Sequence, residues 1–270
     1  MPLRLRFPWI HGQSLPDGVR AGRRAISPEE RVDYVRRMFS AIAPRYDLTN
    51  TVISAGLHLP WKRRTVAALG LRMGERALDL CCGTGDLARM MAEAVGPNGS
   101  VVGVDFAAPM IAEAAQQTAP SPRDGAPRSS RRAFLIGDAM SLPFAPASFD
   151  AVAVAFGLRN VADPAAALRE IHRVLRSGGR LAILEFARVP NPVFRALYDL
   201  YSFTLLAGLG RLVSGHPDAY WYLPVSVRHW LDQAAMLRLL GETGFVNATC
   251  RNLAQGVVAI YRAEAGARGA

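Results

Sequence analysis

Apolar and polar positions follow two rhythms along this chain. The first quarter is helical in spacing. Ser27-Pro28-Glu29-Glu30 sets an N-cap, a proline and two acids at the head of a helix running to about Phe39. A second helical pattern spans about Asn50 to Leu69 and stops at Gly70. From Arg76 onward, short apolar runs of strand length take turns with amphipathic stretches. The runs are Arg76–Leu80, Val101–Val104, Ala133–Ile136, Ala151–Ala155 and Leu181–Leu184. Between them, helices are expected over Asp86–Val95, Pro109–Thr118 and Pro164–Leu175, the last ended by Gly178-Gly179. A breaker-rich loop covers Pro120–Arg132. The final third holds an aromatic-rich helical region (about 192–213), a helix at about 227–241, and two β runs, Phe245–Cys250 and Val257–Tyr261.

Strands alternating with helices of this length predict an α/β fold with a mostly parallel, doubly wound sheet. The closing pair of β runs would form a hairpin and add an antiparallel edge strand. Residues 1–28 read as a basic leader, 29–263 as one domain carrying helical cap elements (about 29–70 and 190–230), and 264–270 as a tail. No internal repeat is present.

Composition narrows the class. Half of the 270 residues are hydrophobic and 20% are charged, which excludes disorder as a description of the whole chain. Three cysteines, two of them adjacent (Cys81 and Cys82), exclude a disulfide framework and a four-thiolate zinc site. A reduced compartment fits, and no metal is expected. The formal charge of +10 comes from arginine, with Lys62 the single lysine. Basic loops and tails are usually solvated faces, an anionic membrane surface is the next reading, and nucleic acid the last, since no recognised module accompanies the charge. The longest apolar stretch, Val193 to Val213, is broken by Arg195, Asp199 and Arg211 and falls short of a membrane span.

The chemistry starts at Leu78-Asp79-Leu80-Cys81-Cys82-Gly83-Thr84-Gly85-Asp86, a strand entering a glycine turn and then a helix. Gly83 and Gly85 let the backbone approach a ligand, and the helix start offers free N–H groups. Asp105 ends the next strand, where a carboxylate can accept both ribose hydroxyls. The G-x-G-x-x-G spacing that seats a pyrophosphate is absent. An acid before the turn (Asp79) and a distal acid suit S-adenosylmethionine, whose amino-acid end is zwitterionic and whose sulfonium is positive. Asp138, in Gly137-Asp138-Ala139-Met140, falls on the same rim after the third strand and can accept from the adenine amino group.

Two further segments carry a resemblance. One is Tyr46-Asp47-Leu48-Thr49-Asn50 with Ser54, His58 and Trp61; the other is Phe156-Gly157-Leu158-Arg159-Asn160-Val161, with Arg173–Gly179 and Leu184-Glu185-Phe186 downstream. Over about residues 29–263 the chain resembles the ubiquinone/menaquinone biosynthesis C-methyltransferases (the UbiE/Coq5/MenG family). That resemblance implies a class I S-adenosylmethionine-dependent fold with a seven-stranded sheet and methylation of a ring carbon of a polyprenylated quinol. It places cofactor contacts on Thr84, Asp105, Asp138 and Ala139. Thr49 and Arg176-Ser177 depart from the family's usual Met and Lys-Pro. Cys81 takes the place of the first glycine of the generic methyltransferase turn, where family members vary among small residues. Ala155 replaces a serine that touches cofactor in some relatives, so that contact is not carried over.

Ring methylation needs charge pushed into the ring. A phenol of pKa about 10 must be ionised or lose its proton as the methyl arrives. Arg159 is the leading candidate to stabilise the oxyanion, being permanently charged. His58, Tyr46, or a water held by Asp138 or Asn160 are candidates for the base. The aromatic segment from Phe194 to Leu209 and Tyr220-Trp221-Tyr222 is either a prenyl-tail wall or a helix packed on the sheet. Expected partners are the quinol and, peripherally, the cytoplasmic face of a membrane; a homodimer is possible and nucleic acid is not expected. Demethylmenaquinol is favoured over the methoxybenzoquinol of the ubiquinone route. Rival readings are a methyltransferase for another acceptor, a non-catalytic scaffold, and an RNA methyltransferase.

Overall fold

A computed structural model of the protein describes residues 28–118, 131–201, 222–223 and 226–267. Among these, seven strands form one sheet: β1 (Arg76–Leu80), β2 (Ser100–Asp105), β3 (Arg131–Ile136), β4 (Phe149–Ala155), β5 (Leu175–Phe186), β6 (Phe245–Leu253) and β7 (Val258–Ala265). Their order is β3-β2-β1-β4-β5-β7-β6. Neighbours from β3 to β5 pair in parallel, while β7 is antiparallel to both β5 and β6. The parallel doubly wound architecture is as the alternation predicts. The antiparallel strand is not at the edge, however. It inserts one place in, so that β6 forms the border. β7 also runs to Ala265, past the expected domain end at 263.

Eight helices are described: α1 (Pro28–Ile42), α2 (Tyr46–Ile53), α3 (His58–Leu69), α4 (Asp86–Val95), α5 (Ala108–Thr118), α6 (Pro164–Val174), α7 (Pro192–Tyr201) and α8 (Gln233–Glu242). Two sequence expectations need correction. The pattern from Asn50 to Leu69 is two helices, because Ala55 and Gly56 both adopt positive φ and turn the chain between α2 and α3. Gly178-Gly179 does not end α6. That helix stops at Val174, and Gly178 (φ 69°) lies inside β5, where the pairing with β4 jumps from Phe149↔Leu175 to Ala151↔Arg180. The leader before Pro28, most of 120–132, and the aromatic stretch beyond Tyr201 up to Trp221 lie outside the described residues.

Side-chain alternation along the strands builds two cores. Leu78, Leu80, Val152, Val154, Leu181 and Ile183 pack on α6 and α8 through Leu168, Ile171, Met236 and Leu240. The opposite face carries Ala77, Ala151, Ala153 and Ala182, and these small residues admit Val66 and Leu69 of α3 and Leu87 and Met91 of α4. Asp79 lies between Leu78 and Leu80, so it points to the α3–α4 face, fully buried. That placement puts a carboxylate beneath the glycine turn. No helix among the described residues is long and apolar enough to cross a membrane.

Candidate active site

Ligands in open α/β sheets bind at the carboxyl ends of the strands, and here β1, β2 and β4 end beneath a cap made by α1 to α3. Two cavities meet there. One, of about 480 Å³, runs from Gly83 and Asp105 past Asp138, Ala139 and Met140 to Asn160. The other, of about 310 Å³, is lined by His58, Trp61, Lys62, Asp79, Arg159 and Phe186, among others. Tyr46, Cys81, Gly83 and Phe156 line both. Cys81 (φ 56°) and Phe156 (φ 56°) hold left-handed backbone, which costs a non-glycine residue roughly 1–3 kcal/mol. Two strained residues thus sit in the wall that the two cavities share.

Gly157 adopts an ordinary φ, but a Cβ there would strike the Cβ of Cys81, with Sγ at 2.9 Å. Gly157→Ala is expected to lose about 1–3 kcal/mol through overpacking. Adding Cys81→Gly removes both the clash and the left-handed strain, so the double variant should melt near wild type; thermal melts of the three proteins check this.

The first cavity has the chemistry of a nucleoside site. Asp105 accepts Gly83 N–H on Oδ2 (2.9 Å) and Ala107 N–H on Oδ1 (2.9 Å). Each oxygen keeps lone-pair capacity for a vicinal diol. Burial raises its pKa, and those backbone N–H groups oppose the rise. Asp138 Oδ1 closes a local turn by accepting Met140 N–H (2.9 Å). Asp79 is the outlier. Both its oxygens are buried without a well-formed hydrogen bond, and burial pushes its pKa up to about 8 against the pull of Lys62 and the Ala88 N–H. A buried carboxylate in that state fits a ligand that brings a cation, as an α-amino group does. No group of three or more metal-ligating side chains exists among the described residues.

Thr84 joins the cap to the turn. Its hydroxyl donates to Asp47 Oδ1 (2.6 Å), and Gln117 Nε2 donates to Asp47 Oδ2 (3.1 Å). Arg89 donates to the Thr84 carbonyl (3.2 Å) and pairs with Asp86. Asp47 therefore clamps α2 onto the cofactor turn, a role that nothing in its local sequence signalled.

In the second cavity, Ser54 Oγ donates its one proton to the Asn50 carbonyl (2.6 Å). At 2.9 Å from His58 Nδ1 it can then only accept, which makes Nδ1 the protonated nitrogen and leaves Nε2 with the free lone pair. Burial and the nearby Lys62 lower the His58 pKa, so the ring is neutral at pH 7. Burial raises the Tyr46 pKa and keeps it a phenol. Asn160 faces the cofactor side, with Oδ1 accepting from Tyr222 OH (2.9 Å) and Nδ2 donating to the Phe156 carbonyl (3.4 Å).

Arg159 lines the second cavity, but its charge is engaged. Nη1 donates to Glu185 Oε1 (2.9 Å) and to the Phe156 carbonyl (2.5 Å), and the guanidinium lies 5.0 Å over the Phe186 ring. Glu185 is fully buried; burial raises its pKa, and Arg159 opposes that. Sequence reasoning quoted Glu185 without a role and passed over Lys62, whose Nζ donates to Asp86 Oδ2 (2.9 Å). The available signal was spacing: Lys62 falls four residues after His58 on one helix face.

The fold, the paired acids and the twin cavities define a class I S-adenosylmethionine-dependent methyltransferase. An Aquifex aeolicus S-adenosylmethionine-dependent methyltransferase matches the fold with a TM-score of 0.52 at 15% identity, covering 88% of this chain and 98% of that one. A chain of the Haloferax volcanii complex of the Trm112 methyltransferase activator with a methyltransferase reaches 0.61 at 16% identity, covering 85% and 98%. The ubiE/COQ5 methyltransferase family profile matches residues 27–265, and the chain belongs to that family. A demethylmenaquinone methyltransferase of Beutenbergia cavernae is 45% identical over 85% of this chain and 90% of its own. A ubiquinone/menaquinone biosynthesis C-methyltransferase of Roseobacter denitrificans is 36% identical over 92% and 93%.

Proposed function

We propose that the chain methylates the ring of a polyprenylated quinol, most directly demethylmenaquinol, with a methyl from S-adenosylmethionine. The observation that carries the reading is the shared wall: a nucleoside-type cavity with two acids, Asp105 and Asp138, abuts an aromatic cavity holding Asp79 and a neutral histidine. The reactive group of one occupant then meets the ring of the other across Tyr46, Cys81, Gly83 and Phe156. S-adenosylmethionine brings an electrophilic methyl on a sulfonium. Within this reading, Asp105 holds the ribose, Asp138 with Ala139 the adenine, Asp79 the amino group, and Thr84 with Gly83 and Gly85 the amino-acid end.

His58 Nε2 accepts the proton of a ring hydroxyl. The oxygen's electron pair moves into the ring, and the adjacent carbon forms its bond to the methyl as the S–C bond breaks with its pair left on sulfur. That carbon then loses its own proton and the hydroxyl is reprotonated, so one proton is released per methyl. The remaining rate comes from alignment across the wall. The name of the Beutenbergia relative supports the naphthoquinol, and the ubiquinone-route benzoquinol is the second reading. Leu48, Val52 and Leu57 beside α2 and Val193, Leu197 and Tyr201 on α7 are exposed, and Leu57 and Tyr201 among them line the quinol cavity; these apolar side chains support peripheral contact with a membrane.

The test is methyl transfer to reduced short-tailed demethylmenaquinol and to the matching methoxybenzoquinol, each in detergent and in vesicles. Faster turnover of the naphthoquinol is expected, and faster still from vesicles. His58→Gln should lower kcat about 10²–10⁴-fold and abolish the acid limb of the pH profile. That limb lies below the ordinary histidine range, because burial lowers the His58 pKa. Turnover of neither quinol by a protein that binds S-adenosylmethionine overturns the acceptor.

A further inference from the structure

We propose that Lys62, rather than Arg159, is the cation that holds the ionised ring oxygen during methyl transfer; this rests on the quinol reading above. Lys62 is buried on α3, one helical turn beyond His58, and both line the aromatic cavity. An ammonium carries three donors. One goes to Asp86 Oδ2 at 2.9 Å, the acceptor that the described residues supply, and two remain for the cavity.

Charge accounting separates the two cations. Asp86 is paired with Lys62 and with Arg89 at once, so that cluster carries one net positive charge. Arg159 and Glu185 form a closed pair with none. The surplus at Lys62 is already felt by its neighbours: it pulls down the pKa of Tyr46, His58 and Asp79, the titratable groups around it besides Asp86, with Asp47 and Arg159 further along the same wall. In a water-poor site a full charge has a much larger effect on an oxyanion than in solvent. Lys62 thereby keeps His58 neutral, and so able to take a proton, while favouring the anion that the proton transfer leaves behind. The cofactor's carboxylate is the other anion in reach of such a group. Asp79, Gly83 and Thr84 line the same cavity as Lys62, so geometry leaves both anions within its reach. What favours the ring oxygen is that Lys62 and His58 share one helix face one turn apart, and the cofactor Kd of Lys62→Met separates the two.

The experiment uses the full chain as wild type, Lys62→Met and Asp86→Asn, with 4-nitro-1-naphthol as probe, a two-ring phenol whose anion is coloured. Titrated in the bound state, the probe should ionise at least one pH unit lower on wild type than on Lys62→Met, and lower again on Asp86→Asn, which removes a counter-charge. With quinol, Lys62→Met should lose about 10²–10³-fold in kcat while the S-adenosylmethionine Kd stays within about threefold. An unchanged probe titration overturns the proposal. So does a weakened cofactor Kd with kcat preserved at saturating cofactor, which would assign Lys62 to the carboxylate. If Lys62→Met does not fold, Asp86→Asn decides alone, and no downward shift overturns the proposal. Should neither quinol be turned over, the acceptor reading fails, and the probe titration still decides what Lys62 holds.

Discussion

At pH 8 and without cofactor, Asp79→Asn is expected to melt higher than wild type, and to bind S-adenosylmethionine at least a hundredfold more weakly. Asp79 is fully buried, its oxygens lack well-formed hydrogen bonds, and its pKa stands at about 8. A carboxyl whose folded pKa is raised stabilises the fold fully only below its unfolded pKa, near 4, and that contribution is lost as pH rises through about 8. At about 1.4 kcal/mol per unit the penalty approaches ~5 kcal/mol by pH 8. Asn never carries it. The gap between variant and wild-type melting temperatures should therefore widen steadily from pH 4 to pH 8. Saturating cofactor should reverse the order, because an ammonium beside Asp79 restores the ionised form and binding stabilises wild type in proportion to ligand excess over Kd. Melts of both proteins across pH, with and without S-adenosylmethionine, test this. A gap independent of pH would mean that Asp79 does not titrate in the fold. An unchanged Kd would remove it from the cofactor site.

Such a carboxylate is legible in sequence for a simple reason. Strand alternation fixes which face Asp79 takes, and parallel topology puts the ends of β1 and β2 and the turn after β3 on one rim, so Asp79, Asp105 and Asp138 converge whatever the details of the loops. Local chemistry also marked the Gly83–Gly85 turn. What stayed hidden depends on contacts between distant segments or on backbone choices that few residues announce. Glu185, on β5, meets Arg159, in the turn after β4, from 26 positions away, and a motif that names both does not say that one neutralises the other. Asp47 finds Thr84 only after α2 folds over the turn. Ala55 takes φ 48°, a conformation its side chain does not advertise, and so splits one apparent helix into two. A hairpin signal specifies that β6 and β7 pair, but not which of them joins β5. Lys62 was visible as the single lysine in an arginine-rich chain. Its meaning required the knowledge that α3 turns His58 and Lys62 into the same cavity.

Breaking the Arg159–Glu185 pair should show what each member does. Glu185→Gln leaves a buried guanidinium without its counter-charge, a loss of about 3–5 kcal/mol, or roughly 6–20 °C in Tm for a chain of this size. The Arg159 backbone N–H now donates to Glu185 Oε2 at 3.3 Å and the Phe186 N–H to Oε1 at 2.9 Å; Gln offers one carbonyl, so the loss reports the charge together with one orphaned backbone donor. Arg159→Met has the complementary signature. Glu185 is already raised by burial, and with the Arg159 side chain gone only the backbone N–H groups of residues 159 and 186 oppose the rise; the variant should be close to wild type at low pH and fall behind as pH climbs. In Arg159→Met/Glu185→Gln both charges are gone, and most of the stability should return, giving a strongly favourable coupling energy in the double-mutant cycle. That stable double variant then isolates the chemistry. If Lys62 carries the oxyanion, losing Arg159 removes at most a hydrogen bond to the ring's second oxygen, about tenfold in kcat. A loss of 10²–10³-fold in a protein as stable as wild type would instead return the oxyanion to Arg159, and the pair would be a catalytic device rather than the brace of the aromatic wall.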